Sequence, residues 1–237
     1  MSDNGVGVAV ITGGSKGIGT GLVAGYRRRG WAVVASARHI KPGEDPEVLT
    51  VEGDISERGS ADRIIDSALK RFGRVDTLIN DAGVYISKPF TDYTAADYDI
   101  AVGVNLTGFF HMTQRAIPEM VNQGSGHVIN ISSTLVDYAN AKVPSAMVSL
   151  TKGGLESATK ALAIEYASRG IRVNAVSLGV IQTAMNADES YESLASLHPL
   201  GRVGQIGDVV DGILFLESSP FITGEILHID GGQIAGH

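Results

Sequence analysis

The stretch Val8–Thr12, followed at once by Gly13-Gly-Ser-Lys-Gly-Ile-Gly19, constrains the fold of this chain more than any other part of it. Val8-Ala-Val-Ile-Thr12 is a short, continuous apolar run, which suits a strand buried on both faces of a parallel sheet. Residues 17–29 then read as a helix that ends before Gly30. Glycines at 13, 17 and 19 permit a tight turn, a close approach of backbone to a pyrophosphate, and close packing of helix on strand. The start of the helix offers unpaired N–H groups and a positive dipole end to an anion. A loop so placed predicts dinucleotide binding; the plainer alternative is a glycine-rich turn with no ligand.

The rest of the chain repeats the alternation. Apolar runs at 31–36, 48–51, 75–79, 127–131, 171–176 and 226–229 read as strands, and helical spacing covers 61–72, 98–122, 145–168 and 205–217. Pro118 is expected to bend the last turns of the third of these five helices. Strands alternating with helices imply crossover connections and a parallel sheet. The expected fold class is therefore α/β: a single doubly wound Rossmann-type domain over residues 1–237, with about seven parallel strands and helices on both faces. Ligands of such sheets lie across the carboxyl ends of the strands. Residues 41–46 form a polar loop in place of a helix between the second and third strands. Residues 182–200 are irregular and read as a substrate lid.

Composition narrows the function classes. At 237 residues, with 43% hydrophobic residues, the chain suits one well-cored domain. A formal net charge of -7 and no basic run argue against nucleic acid or an anionic membrane as partner. The absence of cysteine excludes disulfides, cysteine–metal sites and thiol catalysis. No metal-ligand pattern is visible, and His198 reads as a packing residue beside the lid. Residues 1–7 lack a signal pattern, no run is long and apolar enough to span a membrane, and the expected location is the cytoplasm.

Further motifs follow in order. They are Gly53-Asp-Ile55, Asn80-Asp-Ala-Gly83, Val104-Asn-Leu-Thr-Gly108, Gly126-His-Val-Ile-Asn-Ile-Ser-Ser133, Arg169-Gly-Ile-Arg-Val-Asn174, His198-Pro-Leu-Gly-Arg-Val-Gly204 and Ile222-Thr-Gly-Glu-Ile-Leu-His-Ile-Asp-Gly-Gly232. With the spacing Gly13-x-x-x-Gly17-x-Gly19, they resemble the short-chain dehydrogenase/reductase family along nearly the whole length. The resemblance implies a nicotinamide dinucleotide held by Gly13, Ser15, Lys16, Gly17, Ile18, Gly19, Arg38, Asp54, Ile55, Asn80, Ala82, Gly83, Lys152, Gly179, Ile181 and Thr183. It also implies a homotetramer, with the two longest helices forming one interface, and a small carbonyl or alcohol as substrate. Leu178 stands where the family usually has proline.

The end of the second strand carries Ala37 where an acid would grip a ribose 2′-OH. Arg38 follows, and Lys16 lies in the phosphate loop. Two cations and no acid favour NADP(H) over NAD(H).

In this family a serine, a tyrosine, a lysine and an asparagine act together. The resemblance assigns serine to Ser133, with Ser132 the alternative, lysine to Lys152 and asparagine to Asn105. The tyrosine position, one helical turn before Lys152, holds Val148, which cannot donate a proton. The loop 134–144 is about two residues longer than usual. Three readings follow. In the first, which leads, the protein is an NADP(H)-dependent oxidoreductase with a substitute donor: Tyr138, Tyr85, or a water held by Ser133 and Lys152. In the second, it is a dinucleotide-binding sensor or assembly subunit without turnover. In the third, the pocket catalyses a proton-transfer isomerisation.

Overall fold

The computed structural model describes residues 6–141, 143–184 and 191–236. Seven strands form one parallel sheet: β1 (Val8–Thr12), β2 (Ala32–Ala37), β3 (Val48–Glu52), β4 (Thr77–Asn80), β5 (Gly126–Ser133), β6 (Ile171–Leu178) and β7 (Ile226–Ile229). Their order is β3-β2-β1-β4-β5-β6-β7, with every neighbouring pair parallel. The direction of winding reverses between β1 and β4, which opens a crevice at the carboxyl ends of these two strands.

Side chains alternate between two apolar layers, as strand geometry requires. Val8, Val10, Ala32 and Val34 point to the face covered by α2 (Arg58–Phe72), α4 (Phe109–Gln123) and α5 (Ala146–Tyr166). Ala9, Ile11 and Val33 point to the face covered by α1 (Gly17–Arg28) and α7 (Ile206–Glu217). The short α6 spans Tyr191–Ala195. No helix joins β2 to β3; instead an Arg27–Asp45 ion pair of 2.8 Å ties the loop down.

The helix expected over 98–122 is three pieces. α3 (Ala95–Val102) begins early because Thr94 and Asp97 form a reciprocal capping box. A widened, π-type turn at Gly103–Gly108 then precedes α4. Pro118 does not end α4, which runs on to Gln123 and closes at Gly124, φ 72°. Val75 lies outside β4, its N–H donating to Gln123 Oε1 at 3.0 Å.

A charged cluster closes the amino end of the sheet. Glu217, at the end of α7, accepts from Tyr26 Oη at 2.7 Å and Thr77 Oγ1 at 2.8 Å, and lies 3.4 Å from His127. Arg172 donates to the carbonyls of Leu216, Ser219 and Ile222. A cavity of about 450 Å³ opens beside this cluster, far from the crevice, and its charged groups answer one another.

Candidate active site

The phosphate loop is built from backbone. Gly13 and Gly17 have φ of 78° and 57°, a region L side chains avoid. At Gly19 a Cβ would stand 2.3 Å from the Gly13 carbonyl oxygen, so only glycine lets α1 start there. The first turn of α1 has no side-chain cap, which leaves its amides facing the loop. This is the cradle a pyrophosphate needs. Ser15 and Lys16 are exposed on it, Ile18 is half-buried, and Thr183 packs beside Gly17.

Two acids sit around the crevice in different states. Asp54 accepts from the N–H and hydroxyl of Ser56, at 3.0 and 2.7 Å, bonds that hold its carboxyl below the usual range, with Arg38 adding to them. Ile55 behind it is buried. Asp81 is pushed up to about 7 by burial, which outweighs the pull of Lys152. Burial likewise lowers Lys152 to about 8 against the opposing effect of Asp81.

The turn after β4 is pinned from both sides. Asn80 Nδ2 donates to Thr113 Oγ1 and Asn130 Oδ1, at 3.1 and 2.9 Å. Thr12 Oγ1 accepts from the N–H groups of Asp81 and Ala82, each at 3.1 Å. A Cβ at Gly83 would stand 3.1 Å from Lys152 Nζ and 3.4 Å from Asn105 Oδ1, so the turn, Lys152 and Asn105 meet at one point. The Asn105 amide pairs with both backbone groups of Val84 and donates to Thr151 Oγ1 at 3.1 Å. Its side chain is therefore occupied in bracing this junction.

Lys152 Nζ donates to the Ile131 carbonyl at 2.7 Å, which brings it against the end of β5. Ser133 is the last residue of that strand, and its Oγ accepts from Leu135 N–H at 3.3 Å. Ser132 is turned away and donates to buried Glu156 at 2.5 Å. Val148 is only 4% exposed. Tyr138 follows the short turn Thr134–Val136 and is half-buried, while Tyr85 is exposed on the β4 side.

The other wall is held by His198. Its Nδ1 donates to Leu194 O at 3.1 Å and its Nε2 accepts from Val180 N–H at 3.0 Å. A Cβ at Gly179 would stand 2.7 Å from Nε2, so the glycine lets the ring close over this segment. Ile181, buried, bridges to Gly204. β6 runs through Leu178, paired with Ser133 and Ile229. Of the lid, Ala187, Asn186 and Glu189 lie outside the described residues.

Sequence reading passed over Asp81, Glu156 and the bracing role of Thr12. An acid in a turn whose resembling motif has a second amide was the available signal for Asp81.

A family profile described as enoyl-(acyl carrier protein) reductase matches residues 13–233. The 3-oxoacyl-[acyl-carrier-protein] reductase FabG of Thermotoga maritima is 34% identical over 245 residues, 96% of this chain and 97% of the other. The chain belongs to the short-chain dehydrogenase/reductase family. Among solved structures of the family, ElxO with NADP bound superimposes with a TM-score of 0.91 at 29% identity, covering 98% of this chain and 100% of the other. A tyrosine-to-phenylalanine variant of ElxO with NADPH bound gives the same figures. The 3-ketoacyl-(acyl-carrier-protein) reductase of Brucella melitensis complexed with NADH has a TM-score of 0.90 at 30% identity, covering 97% and 99%. Such family members are nicotinamide-dependent oxidoreductases, and this crevice has the cradle for that cofactor. Among the described residues no helix is long and apolar enough to cross a membrane, and no cluster of three metal-ligating side chains occurs.

Proposed function

We propose that the protein is an NADP(H)-dependent oxidoreductase that interconverts a carbonyl and an alcohol, with a proton donor other than a tyrosine at position 148. The observation that carries this reading is the convergence of Lys152, Asn105 and the Gly83 turn beside the end of β5, in one crevice with the glycine cradle. The residues named above for the dinucleotide fit it: Gly13 to Gly19 at the phosphates, Arg38, Asp54 and Ile55 at the adenosine, Asn80, Ala82, Gly83 and Lys152 beneath the middle, and Gly179, Ile181 and Thr183 at the nicotinamide end. When bound, the dinucleotide supplies or takes up the hydride.

Ser133 donates its hydroxyl to the carbonyl oxygen of the substrate. Lys152, brought to about 8 by burial, holds a transferable proton near neutral pH. A water between Ser133 and Lys152 passes that proton to the oxygen. Asn105 keeps Lys152 and the turn in register through Val84 and Thr151. Residues 182–200 act as the lid. Because two of the relatives above carry the name 3-oxoacyl- or 3-ketoacyl-(acyl-carrier-protein) reductase, 3-oxoacyl thioesters are the first substrates to offer. NADPH oxidation with 3-oxoacyl thioesters, diketones and quinones is expected for the wild type and is lost in Lys152→Ala. Tyr138→Phe and Tyr85→Phe retain it if the water route is correct.

A second reading has one observation in its favour. Val148 is buried and apolar, and an ElxO variant without a tyrosine hydroxyl has NADPH bound. A dinucleotide-binding protein without turnover would look the same. NADPH binding with no oxidation of any substrate selects this reading.

The cofactor preference rests on Arg38, exposed after β2 beside Asp54. Hydrogen bonds to charged groups are worth about 1.5–3 kcal/mol. Arg38→Glu is thus expected to weaken NADPH binding by roughly 10- to 100-fold and to leave NADH little changed, as read by fluorescence titration. Equal losses for both would remove the preference for NADP(H).

We also propose a homotetramer. Tyr98, Ile100, Phe110, Leu150 and Ile164 are exposed apolar side chains on α3, α4 and α5, where the family resemblance places a helical interface. Light scattering is expected to give the mass of four chains, and a monomer would contradict it.

A further inference from the structure

Asp81 lies on the turn that joins the two halves of the crevice. Its carboxyl is packed against the first glycine of the phosphate loop: a Cβ at Gly13 would stand 2.9 Å from Asp81 Oδ2. Two residues on, the same turn meets Lys152 Nζ at Gly83. Thr12 fixes this arrangement through the Asp81 and Ala82 N–H groups. Among the described residues the Asp81 carboxyl makes no hydrogen bond and no ion pair. The carboxyl is half-buried, its oxygens stay within reach of solvent, and it lies where a dinucleotide would cross.

The groups that face it explain its state. From β1 and its loop come Thr12 and Gly13, both uncharged. From α5 comes Lys152, whose charge pulls the Asp81 pKa down and whose Nζ is already bonded to Ile131 O. The family turn has a second asparagine here, which is neutral and can donate. An ionised aspartate would face the pyrophosphate with a like charge and no donor; a protonated one donates its O–H to a phosphate or ribose oxygen.

We infer that Asp81 is a residue of the dinucleotide cradle and receives the cofactor as the neutral acid, so that binding draws a proton from solution wherever the free carboxyl is ionised. The inference rests on the dinucleotide reading above. Its sign is fixed by linkage. In the free protein Asp81 loses its proton around pH 7, and an anion placed beside it moves that loss to higher pH. Affinity is therefore level at low pH and falls with rising pH above about 7, by at most about tenfold per pH unit.

The test is calorimetric titration of the wild type and Asp81→Asn with NADPH at pH 7, in two buffers of different ionisation enthalpy. The wild type is expected to take up about half a proton more than the variant. Titration of the 2′-phosphate contributes to both proteins and cancels in the difference, whereas Lys152, which Asp81 holds up, titrates lower in the variant, so its uptake there is measured as the loss on adding Lys152→Met and subtracted. A second reading needs no variant. With NADH, which has no titrating phosphomonoester, uptake by the wild type is expected to be small at pH 6 and to rise through pH 7. Equal uptake by the two proteins, or a flat NADH profile, would overturn the inference while leaving the cofactor assignment intact. Absence of binding by the wild type to either dinucleotide would overturn both.

Discussion

Val148→Tyr is expected to raise kcat for carbonyl reduction by roughly 10²- to 10⁴-fold, the usual range for a positioned general acid. Position 148 lies one helical turn before Lys152 on α5, so the two side chains share a face. A phenol there would approach an ammonium that is buried and held at the end of β5. The ammonium favours the phenolate, lowers the phenol pKa and so makes it a better donor near neutrality. The substitution also enlarges a side chain that is 4% exposed, and overpacking typically costs about 1–3 kcal/mol. A modest fall in Tm should accompany the gain. An unchanged kcat in a folded variant would mean that position 148 does not face the reacting carbonyl.

Glu217→Ala is expected to destabilise the protein by about 3–5 kcal/mol, because it leaves Arg172, 3.8 Å away, without its buried counter-charge and the Tyr26 and Thr77 hydroxyls without an acceptor. For a chain of this size that corresponds to a Tm lower by on the order of 10 °C. Glu217 joins α7 to α1 through Tyr26, to β4 through Thr77 and to β5 through His127. Burial tends to raise its pKa, but His127, Tyr26 and Thr77 outweigh that and leave it below the usual value. Burial lowers His127, and Arg172 Nη2 stands 3.0 Å from its Nδ1, so we take the ring as neutral. Both shifts have the same consequence. A depressed folded pKa gives stability that is present above the unfolded value and lost as pH falls. Tm should therefore be level above about pH 6.5, decline below it as unfolded His127 takes a proton, and decline again in the carboxylate range. A Glu217→Ala variant with wild-type Tm would show the cluster to be a bystander.

The sequence made the sheet legible because its signals are local. Val8–Thr12 is apolar throughout, and the following glycines admit few other conformations. The missing helix between β2 and β3 was readable from Pro42, Gly43 and Pro46 alone. The division of the long helix was not. It depends on Asn105 bonding to Val84, 21 residues away, and apolar periodicity passes smoothly across Gly103–Gly108. The Glu217 cluster draws on five elements, and no local pattern marks it. In the crevice, Lys152, Ser133 and Asn105 were placed by motif. The Asn105 side chain bonds to Val84 and Thr151, partners that no local pattern announced. Asp81 escaped notice because only burial makes its acidity unusual. His198, read as a packing residue, is buried and bonds to Leu194 O and Val180 N–H.

The central claim is that hydride passes between a dinucleotide and a carbonyl in this crevice although Val148 stands one turn before Lys152. The direct measurement is a single turnover of the wild type with NADPH deuterated at the transferable position and a 3-oxoacyl thioester, followed by mass spectrometry of the product. The account predicts one deuterium on the new carbinol carbon, and none when Lys152→Ala replaces the wild type. NADPH that binds tightly yet leaves every carbonyl unreduced would contradict it and leave a dinucleotide-binding protein without redox turnover.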